Sequence, residues 1–202
     1  LGLVGSEMCI RDSWKINHRT EISGDIAHLS VGDNGWQLPI PVVKKKEGWQ
    51  FDMQKAADEI LTREIGRNEL AAIEALHAYV DAQQSYYAMN HRYAQKIVST
   101  PGLKDGLYWP NSPGEAPSPL GPAFSPPEPG MGYHGYRFRI LPDKNGFAMV
   151  AWPVSYGQTG VMSFVVNQDD KVYQANLGND SAQKAQALAA YHPDKTWQPV
   201  TP

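Results

Sequence analysis

The stretch "ELAAIEALHAYVDAQQSYYAMN", residues 69–90, decides the fold. Ala71, Ala72, Ala75 and Ala78 are strong helix formers, and their small side chains let a helix approach a sheet closely. Leu70, Ile73, Leu76 or His77, Val80 and Tyr87 recur at spacings of three, four and seven, so the reading places them on one apolar stripe. Gln83 and Gln84 make its C-terminal half more polar. Asn68 is suited to cap the start of this helix. A stripe of that length needs an apolar surface to cover, and the rest of the chain has to supply one.

That surface lies downstream, where the period changes to two. "YHGYRFRIL" (133–141), "GFAMVAWPV" (146–154), "TGVMSFVVNQ" (159–168) and "KVYQANLG" (171–178) read as four strands. The connections are short turns, "PDKNG", "SYGQ" and "DD", so the neighbours must be antiparallel. Val161, Ser163 and Val165 alternate with Met162, Phe164 and Val166, which predicts a sheet partly buried on both faces. A last helix, "AQKAQALAAY", begins at Asp180 or Ser181 and ends before His192-Pro193.

Upstream, residues 25–52 read as a small meander: "DIAHLSV", the turn "GDNG", "WQLPIPVV", the turn "KKEG", and "WQFD". Pro39 and Pro41 lack a donor, so the middle strand is an edge or irregular. Trp36 and Trp49 are expected in the core. Asp52 caps a separate short helix, "MQKAADEILTREI", for which Gly66 supplies a left-handed stop. The predicted class is α+β: an N-terminal hairpin or meander, a long helix on a four-stranded antiparallel sheet, and a C-terminal helix.

Between helix and sheet, residues 101–132 hold nine of the chain's 16 prolines and six glycines. Regular helix or central strand is excluded there. Leu107, Tyr108, Trp109, Leu120 and Phe124 are too apolar for a free linker, so this loop is expected to be pinned to the domain. At the other end, "EMCIRDS" (7–13) matches a translated sequencing adapter and carries Cys9, the single cysteine. Residues 1–13 are therefore expected to be an adapter-derived tail. Residues 14–52 are then the remnant of a truncated N-terminal β region, and 53–202 the helix-plus-sheet domain.

Net charge is -3, which argues against a phosphate-neutralising surface and hence against nucleic acid as a partner. No apolar run approaches the roughly 18 residues of a membrane span. The six histidines show no metal-ligand spacing, and no nucleophile elbow, phosphate loop or dinucleotide fingerprint is present, so no cofactor is expected. His77 reads as an ordinary helix-face histidine, and Asp169-Asp170 as turn residues. The candidate binding group is aromatic: Tyr133, His134, Tyr136 and Arg137 beside Tyr108 and Trp109, a platform with hydrogen-bonding tips suited to a sugar or a peptide.

"IGRNELAAIEALHAYVDAQQSYY", "YAQKIVSTPGLKDGLYWP", "GEAPSPLGP", "YHGYRFRIL" and "GFAMVAWPVSYGQTGVMSFVVNQDDKVYQANLG" together resemble an uncharacterised bacterial family, domain of unknown function 2950. The resemblance runs from about Trp14 to the C-terminus. It implies an exported protein, periplasmic or secreted, with an unknown protein or cell-envelope partner, and it assigns no catalytic residue. The order of helix, long loop and antiparallel strands also resembles the soluble part of type IV pilins and pseudopilins, although no apolar anchor precedes Asn68. Three functions stay open: a non-enzymatic structural or interaction domain, a small-ligand or glycan/peptide-binding module, and a hydrolase using His134 with Asp105 or Glu115.

Overall fold

A computed structural model describes residues 14–111, 114–124, 132–143 and 146–200. The adapter reading of residues 1–13 lies outside them. The chain divides into two compact units, 1–63 and 64–202.

In the first unit, β1 (His18–Ser23), β2 (Ile26–Val31), β4 (Val42–Lys45) and β5 (Gly48–Phe51) form an antiparallel sheet, with the two-residue β3 (Trp36–Gln37) also paired to β2. β1 precedes the predicted meander. Its sequence, HRTEIS, is exposed throughout and carries no apolar alternation to signal it. The prolines act as expected, because the chain leaves the sheet between Gln37 and Val42. Trp36 and Trp49 are not core residues; they are 38% and 43% exposed. Register explains this. Trp36 lies opposite Val31, Val42 opposite Ala27, and Trp49 opposite Lys44. Both tryptophans thus share the face of Ala27 and Val31, but on outlying strands, and only the inner residues of that face are buried.

A single helix, α1 (Met53–Asn90), replaces the two expected. Asp52 does cap it, accepting the Lys55 N–H at 3.2 Å. Gly66 does not end it and keeps helical backbone. An interior glycine costs about 1 kcal/mol relative to alanine, too little to break a helix carried by strong formers on both sides. Asn68 is consequently mid-helix rather than a cap, and its amide donates to the Thr159 carbonyl at 3.0 Å.

The second unit is built on β6 (Tyr136–Leu141), β7 (Ala148–Pro153), β8 (Ser163–Asn167) and β9 (Tyr173–Ala175), antiparallel in sequence order. A fifth strand beyond the four expected, β10 (Gln198–Pro199), pairs with β9. Every residue of β7 and β8 is buried, and alternation sorts their side chains onto two faces. Met149, Ala151, Phe164 and Val166 pack in one cluster with Ala72, Leu76, Tyr79, Val80 and Tyr86 of α1. Val150, Trp152 and Val165 join Leu141, Ala185 and Trp197 in a second. The helix therefore covers one side of the sheet, as its stripe demanded.

The stripe itself is rotated from the predicted one. Leu70 and Tyr87 are 64% and 44% exposed, whereas Ala72, Leu76, Tyr79, Gln83 and Tyr86 are buried. Their spacing of four, three, four and three is equally helical. Small alanines on this side bring the backbone closer to the sheet than Leu70 would allow.

The last helix, α2 (Ser181–Ala187), stops earlier than predicted, with Leu188 already extended. The Arg139 guanidinium on β6 donates to the carbonyls of Ala185, Gln186 and Leu188 at 2.8–3.2 Å, so a side chain takes the acceptors that a further turn would have used.

Candidate functional site

The described part of the proline-rich segment is pinned as its aromatics required. Leu107, Trp109 and Leu120 are buried in the cluster beneath α1, with Tyr108 and Phe124 packed against it. Backbone bonds complete the attachment: Leu107 N–H to Lys96 O, Tyr108 N–H to Ile97 O, and Ser99 N–H to Tyr108 O, at 2.8–3.1 Å. Residues 96–99 and 107–108 thus run side by side in parallel, joined by a loop that begins with a tight turn. That turn is legible in "TPGL": proline sets φ at its second position, and Gly102 takes the positive φ of +80° at its third. Leu103 N–H closes it on Thr100 O at 2.9 Å. Gly106 serves a different need, because a Cβ there would lie 2.8 Å from the Ser99 nitrogen and the Val98 carbonyl carbon.

Asp105 organises this loop. It accepts from Lys96 Nζ at 2.6 Å, Thr100 N–H at 2.7 Å and Thr100 Oγ1 at 3.0 Å. The Lys96 hydrogen bond, helped by the Thr100 N–H, pulls its carboxyl down from 3.8 to about 2. Its contribution to loop order is therefore complete above about pH 4 and is lost as pH falls toward 2. The carboxyl carbon chemical shift of Asp105 should titrate near pH 2, and Lys96→Met should move that midpoint up toward 3.8. An unmoved midpoint would remove Lys96 as the cause.

The loop encloses a cleft of about 600 Å³ with Val98, Pro101, Leu103, Lys104, Trp109 and Glu115 among its walls, within the size range of small-ligand sites. Lys104 Nζ sits 5.6 Å above the Trp109 ring centroid and 2.8 Å from a Glu115 carboxylate oxygen. The Lys104 backbone is held separately, its carbonyl accepting the Tyr86 hydroxyl at 3.0 Å.

Of the six predicted residues, Tyr108 and Trp109 line this cleft; Tyr133, His134, Tyr136 and Arg137 are not among its walls. Tyr133 and Tyr136 instead close a two-residue turn through reciprocal backbone bonds of 2.8 and 3.0 Å. His134 and Gly135 occupy its centre at φ +45° and +72°, the left-handed pair typical of hairpin turns. The Tyr133 ring stacks on Phe124 and meets His134 edge-on, at centroid separations of 5.1 and 4.4 Å. Tyr136 belongs to the core: it is fully buried, and its hydroxyl donates to Met162 O at 2.8 Å. Burial, then the nearby Glu69 carboxylate, raises its pKa far above the ordinary value. Arg137 pairs in register with Trp152 across β6 and β7.

Sequence reasoning missed Lys104, Val98 and Leu103 as cleft residues. The signal available was the "TPGL" turn, which fixes a loop whose remaining side chains must point somewhere. The carboxylates proposed to serve His134 have other partners, Asp105 with Lys96 and Thr100, Glu115 with Lys104. Among the described residues no group of three His, Cys, Asp or Glu is placed to hold a metal ion, and no helix is long and apolar enough to cross a membrane.

These elements define an α+β protein whose antiparallel sheet is backed by one long helix and whose proline-rich segment frames an aromatic cleft. The chain belongs to the protein family of unknown function DUF2950, whose profile matches residues 7–200. That match begins inside the adapter-like run. No curated protein and no solved structure matches the chain.

Proposed function

We propose that this chain is a non-enzymatic interaction domain of the bacterial cell envelope, periplasmic or secreted, which binds its partner through the cleft framed by residues 98–110 and Glu115. The observation that carries this reading is the way the segment is fixed. Buried Leu107, Trp109 and Leu120, the backbone pairing of 96–99 with 107–108 and the Asp105 bonds hold a loop in one shape around an open, aromatic-floored cleft. Order of that kind removes conformational entropy that binding would otherwise cost. Leu103 and Val98, 55% and 42% exposed at its rim, are apolar groups left for a partner to cover. The helix-on-sheet body beneath is the scaffold, similar in plan to the soluble part of a type IV pilin. Export rests on the family resemblance.

Cosedimentation of the purified chain with isolated bacterial envelopes tests the binding role. Leu103→Glu should reduce retention at least about tenfold, since burying an unpaired charge in a contact costs well over 1.4 kcal/mol. Equal retention of wild type and variant would refute the cleft. Release of soluble envelope fragments that stops on His134→Ala would refute the non-enzymatic reading and favour a hydrolase.

A further inference from the structure

We infer that β1 pairs with the β1 of a second copy of this chain, antiparallel about a two-fold axis at Thr20, so that two chains share one continuous sheet; this surface is independent of the cleft. β1 is an edge of the first unit's sheet, and among the described residues no strand covers its outer side. Its backbone is open there in a defined pattern. The Gly32 N–H donates to Asn17 O at 2.9 Å, continuing the register that sets His18 opposite Val31. Bonding alternates along an antiparallel strand, so Arg19 and Glu21 turn their N–H and C=O groups toward β2. His18, Thr20 and Ile22 turn theirs toward the open edge.

Proteins blunt an open edge with proline, lysine, a bulge or a covering segment. β1 has no proline or lysine, and its register against β2 runs unbroken from His18 to Ser23. β5, at the opposite edge, offers four residues before α1 begins at Met53. β1 is the longer template.

The side chains select both partner and register. A second β1 can use the open groups only where His18, Thr20 and Ile22 face one another. A two-fold centred on Arg19 or on Glu21 meets that condition but sets identical charges face to face, which is unfavourable. Centres at His18 or Ile22 overlap fewer residues. A centre at Thr20 sets threonine against threonine, His18 against Ile22, and Arg19 against Glu21 on both sides of the axis. In the single chain Arg19 and Glu21 already pair along the strand, 75% and 52% exposed. The second copy does not compete with that pair; it closes the four side chains into a square of alternating charge. On the other face His18, Thr20 and Ile22 line up with Val31, Leu29 and Ala27. Ile22, 64% exposed, then gains the His18 of the second copy, on which Trp14 is stacked at 3.9 Å. An unrelated strand would have to bring a complementary sequence, whereas β1 is complementary to itself.

The test follows the 202-residue chain by sedimentation equilibrium up to about 1 mM, the class of affinity expected of so small an interface. Reductant is present because Cys9 could otherwise link chains covalently. Wild type should form dimers with a dissociation constant between about 10 and 300 μM. Arg19→Glu and Glu21→Arg should each weaken self-association about tenfold or more, because symmetry counts every like-charge contact twice. An equimolar mixture of the two variants should recover the wild-type affinity, since each then supplies the charges the other lacks. That recovery is a result that loss of folding in either variant could not produce. A wild-type chain that stays monomeric to about 1 mM, reversals that associate as tightly as wild type, or a mixture no tighter than its components would each overturn the inference.

Discussion

Gly160→Ala should destabilise the protein by about 3–4 kcal/mol, although it adds only a single methyl group. A Cβ at Gly160 would lie inside the Tyr136 phenol, reaching its oxygen, Cζ and Cε2. Tyr136 cannot move aside. It is fully buried beside Phe164, and its hydroxyl is bonded to Met162 O. Overpacking of a dense core costs about 1–3 kcal/mol, and displacing the hydroxyl leaves a buried polar group unpaired for about 1–3 more. The connection bearing Gly160 has no freedom to relax either. Asn68 holds Thr159 O, and the Glu69 carboxylate accepts the N–H groups of Val161 and Met162, both at 2.9 Å.

Chemical denaturation of four variants, each against wild type, separates this cause from backbone strain. Gly157, three residues earlier, has φ +74° but open space where a Cβ would go, so Gly157→Ala should cost only the left-handed penalty of about 1–2 kcal/mol. Tyr136→Phe alone should cost about 1 kcal/mol for the lost bond. Combined with Gly160→Ala it should cost clearly less than the sum of the two, because the hydroxyl's hydrogen bond is lost in each single variant and can be lost only once, although the ring carbons Cζ and Cε2 still meet the new methyl. Additive effects, or a Gly160→Ala cost equal to that of Gly157→Ala, would show that the phenol does not determine the need for glycine.

The alternation of β7 and β8 made the sheet legible in the sequence, and so did the presence of a helix with one apolar side; the angular position of that side did not. Hydrophobicity ranks Leu70 above Ala72, but the residue that faces a close-packed sheet is the one that fits, and Ala72 is fully buried while Leu70 is not. Tyr79 and Gln83 were invisible for a related reason. Each carries polar atoms that a sequence pattern assigns to solvent, and each is buried because those atoms have partners. The continuity of α1 through Gly66 was lost because a glycine looks like a stop wherever helix formers pause, and nothing local shows that it costs too little. For the cleft, Tyr108 and Trp109 were readable as apolar residues in a proline-rich loop. Grouping them with Tyr133 and Tyr136 assumed that aromatics near in composition are near in space. Hairpin geometry puts Tyr136 inward, into the core under Gly160, and leaves Tyr133 stacked on Phe124.

The second large effect is expected at Gln83, where Gln83→Leu should cost about 3–5 kcal/mol despite adding hydrophobicity to a fully buried position. The Gln83 amide imitates a strand. Its Nε2 donates to Ala94 O at 2.8 Å, and its Oε1 accepts the Ala94 N–H at 2.9 Å, so one side chain satisfies both backbone groups of a buried residue. The same Nε2 donates to the Tyr79 hydroxyl, which in turn donates to Ala148 O in the sheet at 3.2 Å. Burial raises the Tyr79 pKa well beyond its ordinary value, with the Gln83 bond opposing that rise. Leucine matches the volume but leaves the Ala94 N–H and C=O both unpaired, at about 1–3 kcal/mol each. A second variant tests the chemistry independently of size. Gln83→Glu places a buried carboxyl whose neutral form alone can both donate and accept. Its deficit relative to wild type should therefore be greatest at neutral pH and should narrow as pH is lowered into the range where the carboxyl protonates. Ala94 leads directly into residues 96–99, the strand against which Tyr108 is paired, so the loss should also reach the cleft. Hydrogen exchange of the Ser99 and Tyr108 amides should accelerate in Gln83→Leu more than exchange in β7. Uniform acceleration across both regions, or a Gln83→Glu deficit that does not change with pH, would mean that Gln83 contributes only packing.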